Sequence, residues 1–170
     1  INSFSLMAVP FFILAGEIMG AGGISDKMVD FANAIVGRFR GGLACVNCLD
    51  SMFFGGISGS AVADVSSLGS IVIPMMEKSG YDREFAIALT VTTSCQGVLI
   101  PPSHNMIFFA LAAGGVSVGK LFLGGAIPGV MLGLALMIYS LFVSHKRNYP
   151  KGEAFSFREI VKITIDAMVA

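Results

Sequence analysis

The sequence predicts an all-α integral membrane protein, with transmembrane helices, a re-entrant helical hairpin and a helix broken by proline. Three observations predict it. The 170 residues are 55% hydrophobic and 13% charged, with a mean hydropathy of +0.81, whereas a soluble domain carries about a quarter charged residues. The charges are also segregated: 85–119 and 121–144 contain no Asp, Glu, Lys or Arg, and a bilayer core about 30 Å thick requires roughly 20 apolar helical residues to cross. Finally, helix-breaking residues interrupt apolar stretches at two points, Gly55-Gly56-Ile57-Ser58-Gly59-Ser60 and Ile100-Pro101-Pro102-Ser103. Basic and acidic residues balance to a net charge of zero, which argues against a nucleic-acid partner and leaves the lipid bilayer as the expected surroundings.

Taken in order, Phe4–Ala21 reads as a first membrane helix; Pro10 is tolerable within such a helix, and Glu17 falls near its end. Gly20, Gly22 and Gly23 stop it, and Ser25-Asp26 offers a cap for the next element. Over Lys27–Arg40 the apolar Met28, Val29, Ala32, Ile35, Val36 and Phe39 recur at helical spacing among Lys27, Asp30, Asn33 and Arg38. That pattern predicts an amphipathic arm helix on the membrane surface, ended by Gly41-Gly42. Segment 43–77 follows as the hairpin. Its first arm, Leu43–Ile57, rises only about 22 Å, too little for a crossing. The run from Gly55 to Ser60 is expected to leave the helix, and Val62–Met76 returns. Two full crossings, with Gly59 and Ser60 in an outer turn, are the other reading.

Segment 83–113 is the broken transmembrane helix. Phe85–Leu99 forms one half, the two prolines interrupt it because each lacks an N–H and restricts its predecessor, and His104–Ala113 resumes. Gly114-Gly115 turns the chain, 117–145 crosses back through Leu121–Ser144, and 146–170 is a basic cytoplasmic loop leading through Phe157–Ala170 towards a further span. Lys146, Arg147 and Lys151 place that loop inside. Counting back, Gly114–Lys120 lies outside, while Tyr81–Glu84, Arg38 and Arg40 lie inside. The chain shows neither a basic leader nor a cleavage pattern; it begins at Ile1 and reads as a piece of a longer protein.

The two interruptions carry the chemistry. Irregular backbone at membrane depth is tolerated only against protein or a wet cavity, and secondary transporters use it to expose carbonyl oxygens to a cation. The hydroxyls of Ser58, Ser60 and Ser103 and the carbonyls near Gly97, Ile100 and Pro102 are a candidate oxygen shell. The two segments are expected to face each other, and N–H groups at a half-helix start can meet a carboxylate. The plainer reading is that the glycines serve close packing and the prolines only kink. Asp64, one turn from Ser60, is a candidate because intramembrane carboxylates are costly; a locally satisfied carboxylate is its alternative, and for Asp50 that alternative is favoured. His104, next to the break, is either a substrate contact or a structural histidine. Cys45 and Cys48 form a CxxC, but with no second pair and no histidine at ligand spacing they are expected to pack as small apolar residues.

Several words of the sequence, in this order, resemble the large membrane (permease) subunit of TRAP (tripartite ATP-independent periplasmic) transporters. They are Val9-Pro10-Phe11-Phe12-Ile13-Leu14-Ala15-Gly16-Glu17-Ile18-Met19, Ser58-Gly59-Ser60-Ala61-Val62-Ala63-Asp64, Ile100-Pro101-Pro102-Ser103, and Lys120-Leu121-Phe122 followed by Pro128-Gly129. The resemblance covers essentially the whole chain as an N-terminal half. It implies one half of an inverted-repeat, elevator-type transporter in the bacterial inner membrane, multi-pass and not an enzyme. Such a protein would have no cofactor and would use sodium as its coupling ion. It would take an organic acid (a C4-dicarboxylate, sugar acid or sialic acid) from a periplasmic substrate-binding protein, beside a small membrane subunit. Carried over, the ion-binding residues are Ser58, Ser60, Gly97, Ile100, Pro102 and Ser103, and Gly59, Asp64, His104 and Asn105 are candidate substrate contacts. His104-Asn105 departs from the apolar residues more usual there. The competing classes are an intramembrane aspartyl protease using Asp50 and Asp64, and a structural subunit that transports nothing.

Overall fold

The computed structural model describes residues 22–151 together with Pro10, Phe11, Leu14 and Ile18. Apart from those four positions, the expected first membrane helix lies outside the described residues, as does the expected helix over 157–170. Within them the chain runs through α1 (Ile24–Val36), α2 (Gly42–Ser58), α3 (Ala61–Lys78), α4 (Arg83–Ser94), α5 (Gln96–Leu99), α6 (His104–Ala112) and α7 (Val118–Lys146).

The amphipathic pattern does form a helix, α1, which buries Val29 and Ala32 and leaves Lys27 and Asp30 exposed. Its ends differ from expectation. Gly23, with φ 75°, holds the cap position in place of Ser25-Asp26, and the helix stops at Gly37, short of Arg40. Gly37 has no room for a side chain against the Asn33 side chain and carbonyl. Arg40 leaves the helix to donate to Asn148 Oδ1 at 3.0 Å.

α2 and α3 form a helical hairpin. Leu43, Ala44, Val46 and Phe54 of α2 pack with Leu68, Val72 and Met76 of α3 and with Ala86 and Leu89 of α4. The expectation that the chain leaves the helix at Gly55 is corrected: α2 continues through Gly55-Gly56 to Ser58, and only Gly59-Ser60 stand outside. Two helical glycines cost about 0.8–1 kcal/mol each relative to alanine. Close packing offsets that cost, because a Cβ on Gly55 would sit 2.5 Å from Gly97 Cα. Ser60 is extended, and its hydroxyl accepts from Ala63 N at 3.4 Å to cap α3.

The two halves of the broken helix are found, bent by 48°. The first half begins at Arg83 rather than Phe85 and is itself interrupted at Cys95. Ile100–Ser103 are non-helical as expected, and the Pro101-Pro102 peptide is cis. α7, 29 residues long, is apolar and long enough to cross a membrane, rising about 43 Å. It reverses the pattern of a soluble helix: Gly125, Gly129, Gly133, Ser140 and Ser144 are buried, while Leu123, Ile127, Met131, Ile138 and Phe142 point outwards. Small residues facing the bundle and large ones facing outwards are the membrane arrangement.

At one end of the bundle, Arg147 donates to Asp82 Oδ2 at 2.7 Å, the Tyr149 hydroxyl donates to the same oxygen at 2.5 Å, and the Tyr149 ring lies 4.4 Å from that of Tyr81. Gly41 N donates to Pro150 O there too. The start of α2, the α3–α4 turn and the end of α7 therefore share one side, the arrangement the basic loops require.

Candidate functional site

α2 and α3 leave that end, rise about 25–27 Å and meet at Gly59-Ser60. The first half of the broken helix, 83–99, rises by about as much before its own interruption. Equal lengths bring the two irregular segments to one level, and they touch. Gly59, with φ 61°, sits so that a Cβ would collide with the Pro102 carbonyl oxygen and lie 3.1 Å from Ser103 Cα. A Cβ on Gly56 would lie 3.3 Å from Ile100 Cγ2, and one on Gly97 would lie 3.2 Å from Gly55 Cα and 3.6 Å from the Ser60 carbonyl carbon.

Ser58, Gly59, Ser60, Gly97, Ile100, Pro102 and Ser103 thus gather in one neighbourhood. In a helix the carbonyls of Gly97 and Val98 would accept from residues 101 and 102; both are prolines and have no N–H to give. Ser58 Oγ accepts from Ser60 N at 3.3 Å, which steadies the tip. Ser103 Oγ is fully buried and has no hydrogen-bond partner among the described residues. A buried hydroxyl without a partner is costly, and such groups are rare unless something else completes them.

The outer candidates divide. His104 opens α6 and is buried, while Asn105 beside it is exposed. Asp64 is fully buried and turned towards the other hairpin arm, with Ser51 beside it and the Asp50 carboxylate close enough to interact electrostatically. Neither carboxylate makes a hydrogen bond meeting ordinary geometry among the described residues.

Sequence reading missed the polar seam that holds hairpin and broken helix together. Asn47 Nδ2 donates to Thr90 Oγ1 at 2.7 Å, Thr93 Oγ1 donates to Asn47 Oδ1 at 3.2 Å, and Ser51 Oγ donates to Thr93 Oγ1 at 3.1 Å. Interhelical hydrogen bonds of this kind replace the hydrophobic drive that lipid does not supply. Thr90 and Thr93 at i and i+3 on an apolar helix were the available signal. Gln96 was missed as well; it is fully buried, with Oε1 aimed at Gly133 of α7. Cys45 and Cys48 lie in the core as free thiols, Cys48 Sγ 3.7 Å from Ser140 Oγ on α7.

A bundle of apolar helices whose interrupted backbones abut is the arrangement that helical secondary transporters use. Residues 1–170 match the family described as the tripartite ATP-independent periplasmic transporter, DctM component, and the chain belongs to that family. The chain is 43% identical over 164 residues to the C4-dicarboxylate TRAP transporter large permease protein DctM of Vibrio cholerae, covering 96% of this chain and 36% of that protein. It is 39% identical over 170 residues to the sialic acid large permease SiaM of the same organism, covering 100% and 40%. It is 40% identical over 159 residues to the 2,3-diketo-L-gulonate large permease YiaN of Escherichia coli, covering 94% and 37%. The chain therefore spans about two fifths or less of the length of these relatives. They are membrane transporters rather than enzymes, which removes the aspartyl protease reading.

Proposed function

We propose that the protein containing this chain takes up an organic anion by sodium-coupled transport, and that this chain supplies one of its ion sites. The observation that carries the proposal is the seating of Gly59 on the Pro102 carbonyl, which brings the hairpin tip and the helix break into a single shell. Every donor there is an oxygen: the hydroxyls of Ser58, Ser60 and Ser103 and the carbonyls of Gly97, Ile100 and Pro102. That set suits a hard cation and not a soft one. A cation between the two segments would draw them together and offset the desolvation of their dipoles.

The N-terminus of α6 lies immediately beyond Ser103. The start of a helix, where the first N–H groups have no intrahelical acceptor, favours a negative charge, so an anion bound near Gly59, His104 and Asn105 would sense the ion. That mutual preference is the coupling. The three relatives above are named for a C4-dicarboxylate, sialic acid and diketogulonate, and an organic anion is the substrate class proposed. In the whole protein the hairpin is re-entrant, the chain is half of an inverted repeat in the bacterial inner membrane, and the ion and anion are carried by an elevator movement. A periplasmic binding protein delivers the substrate, and a small membrane subunit, separate or fused, braces the moving part.

The test is uptake by the full-length protein and its partners in proteoliposomes under a sodium gradient, a proton gradient or neither. Uptake is expected only with sodium. Uptake that ignores sodium overturns the coupling, and a partner complex that moves no anion under any gradient leaves the structural-subunit reading standing.

A further inference from the structure

A groove of about 460 Å³ lies at the charged end of α7, between that helix and α4, and the transport reading gives it no role. Its walls are Phe85 of α4 and Tyr139, Phe142 and Val143 of α7, and its rim is Lys146 with Arg147. Tyr139 and Phe142 are 60% and 66% exposed. From Tyr139 to Lys146 the helix rises about 10 Å, so the apolar wall runs inwards from the rim by that distance. The rim falls where the uncharged run 121–144 gives way to His145-Lys146-Arg147, the transition expected at the lipid headgroups.

The two cations differ in how they are held. Arg147 is fixed: Nη1 bonds Asp82 Oδ2 and Tyr149 Oη, and the guanidinium stands 5.9 Å from the centre of the Phe85 ring. Its Nε and Nη2 keep no partner among the described residues, and Asp82 offsets its charge. Lys146 is exposed and has no partner among the described residues, so it is the uncompensated charge. An apolar trough ending in one preset and one loose cation is complementary to an amphiphile with an acyl tail and an anionic head. Basic pockets between membrane helices on the cytoplasmic side bind lipid headgroups in this way.

We infer that this groove binds an anionic phospholipid of the cytoplasmic leaflet, with its phosphate between Lys146 and Arg147 and an acyl chain along Phe142 and Tyr139. The lipid would fasten the end of α7 to the α3–α4 turn at the membrane surface.

The chain has no tryptophan, so Phe142→Trp places a reporter in the groove. In the full-length protein, its emission above the background of the unsubstituted protein is followed as brominated-chain phosphatidylglycerol or brominated-chain phosphatidylcholine is titrated into unbrominated vesicles. Half-quenching is expected at about fivefold less phosphatidylglycerol than phosphatidylcholine, the worth of one interfacial cation. Adding Lys146→Gln, which leaves the Arg147–Asp82 pair intact, should abolish the difference. Equal quenching by the two lipids overturns the inference, as does a preference that survives Lys146→Gln. An absence of quenching by either lipid also overturns it, by showing that protein covers the groove.

Discussion

Gly59→Ala and Gly114→Ala form a matched pair that isolates the contact between hairpin tip and helix break. The two glycines have nearly the same backbone, φ 61° and 59°. An alanine at either pays for the left-handed conformation, about 1–2 kcal/mol. At Gly114 nothing lies within 4 Å of the added Cβ, whereas at Gly59 it meets the Pro102 carbonyl oxygen, with Ser103 Cα at 3.1 Å and the Pro102 carbonyl carbon at 3.2 Å. These neighbours are backbone and cannot rotate away, so the tip must withdraw by some tenths of an ångström, an overpacking cost of about 1–3 kcal/mol. Gly114→Ala should therefore lose about 1–2 kcal/mol and Gly59→Ala about 2–5 kcal/mol. The losses are read by denaturant titration of the full-length protein in detergent. Because the proposed ion uses the displaced carbonyl, the sodium concentration for half-maximal uptake should rise by about tenfold or more in Gly59→Ala, equivalent to at least ~1.4 kcal/mol, and stay put in Gly114→Ala. Equal stability losses, or unchanged sodium dependence in Gly59→Ala, would refute the reasoning.

Ser103→Ala removes a buried hydroxyl that bonds nothing among the described residues, so stability should hold or rise, by up to about 1–3 kcal/mol, while sodium affinity falls; a large drop in stability would mean the hydroxyl has a structural partner. Ser60→Ala should weaken sodium dependence and also lose the α3 cap, at about 0.5–2 kcal/mol, so the two serines separate ion binding from capping in the same pair of assays. Asn47→Ala removes its two bonds, to Thr90 and Thr93, whose hydroxyls keep their bonds to the Ala86 and Thr90 carbonyls, and at about 0.5–1.5 kcal/mol each should cost about 1–3 kcal/mol, measured by the same denaturant titration. Asp82 is held below its usual 3.8 by hydrogen bonds from Tyr149 and from Arg147. A depressed carboxyl stabilises above its unfolded value and loses that contribution as pH falls through the folded one. The Tyr149 amide should therefore exchange faster in Asp82→Asn than in the native protein near neutral pH, and the two should converge only as the pH falls through the folded value, which lies below 3.8; a difference that persists in stronger acid would count against the clamp.

The helices were legible where hydropathy and breakers agree. The double proline marks 100–103 because two consecutive residues without an N–H leave the helix no alternative. The uncharged run 121–144 marks α7, and the alternation over 27–40 marks α1. Gly55-Gly56 misled because intrinsic propensity counts the cost of a helical glycine and omits what the missing side chains allow, here the approach of Gly97. The cap at Gly23 was obscured by the better side-chain candidates two residues on. Of the candidate site, its members were legible as interruptions in apolar runs. Their meeting depends on equal rises along two separate helices and on the seam through Asn47, Thr90 and Thr93, which no local pattern encodes. Asp64 was legible as an oddity, but its direction, towards Asp50 and Ser51, was not.

The break between α5 and α6 rests against α7 through glycine. A Cβ on Gly129 would lie 2.7 Å from Ile100 Cγ1 and 3.3 Å from Ile100 N, and one on Gly125 would come within 2.7 Å of Leu99 O. The long helix is thus the anvil on which the carbonyl-bearing turn is set, and it supplies none of the proposed ligands. A methyl group added on that inner stripe would nudge the oxygens from behind. If the proposed ion sits there, drift in a neighbouring helix would retune how firmly it is gripped, while every atom proposed to touch it stays the same.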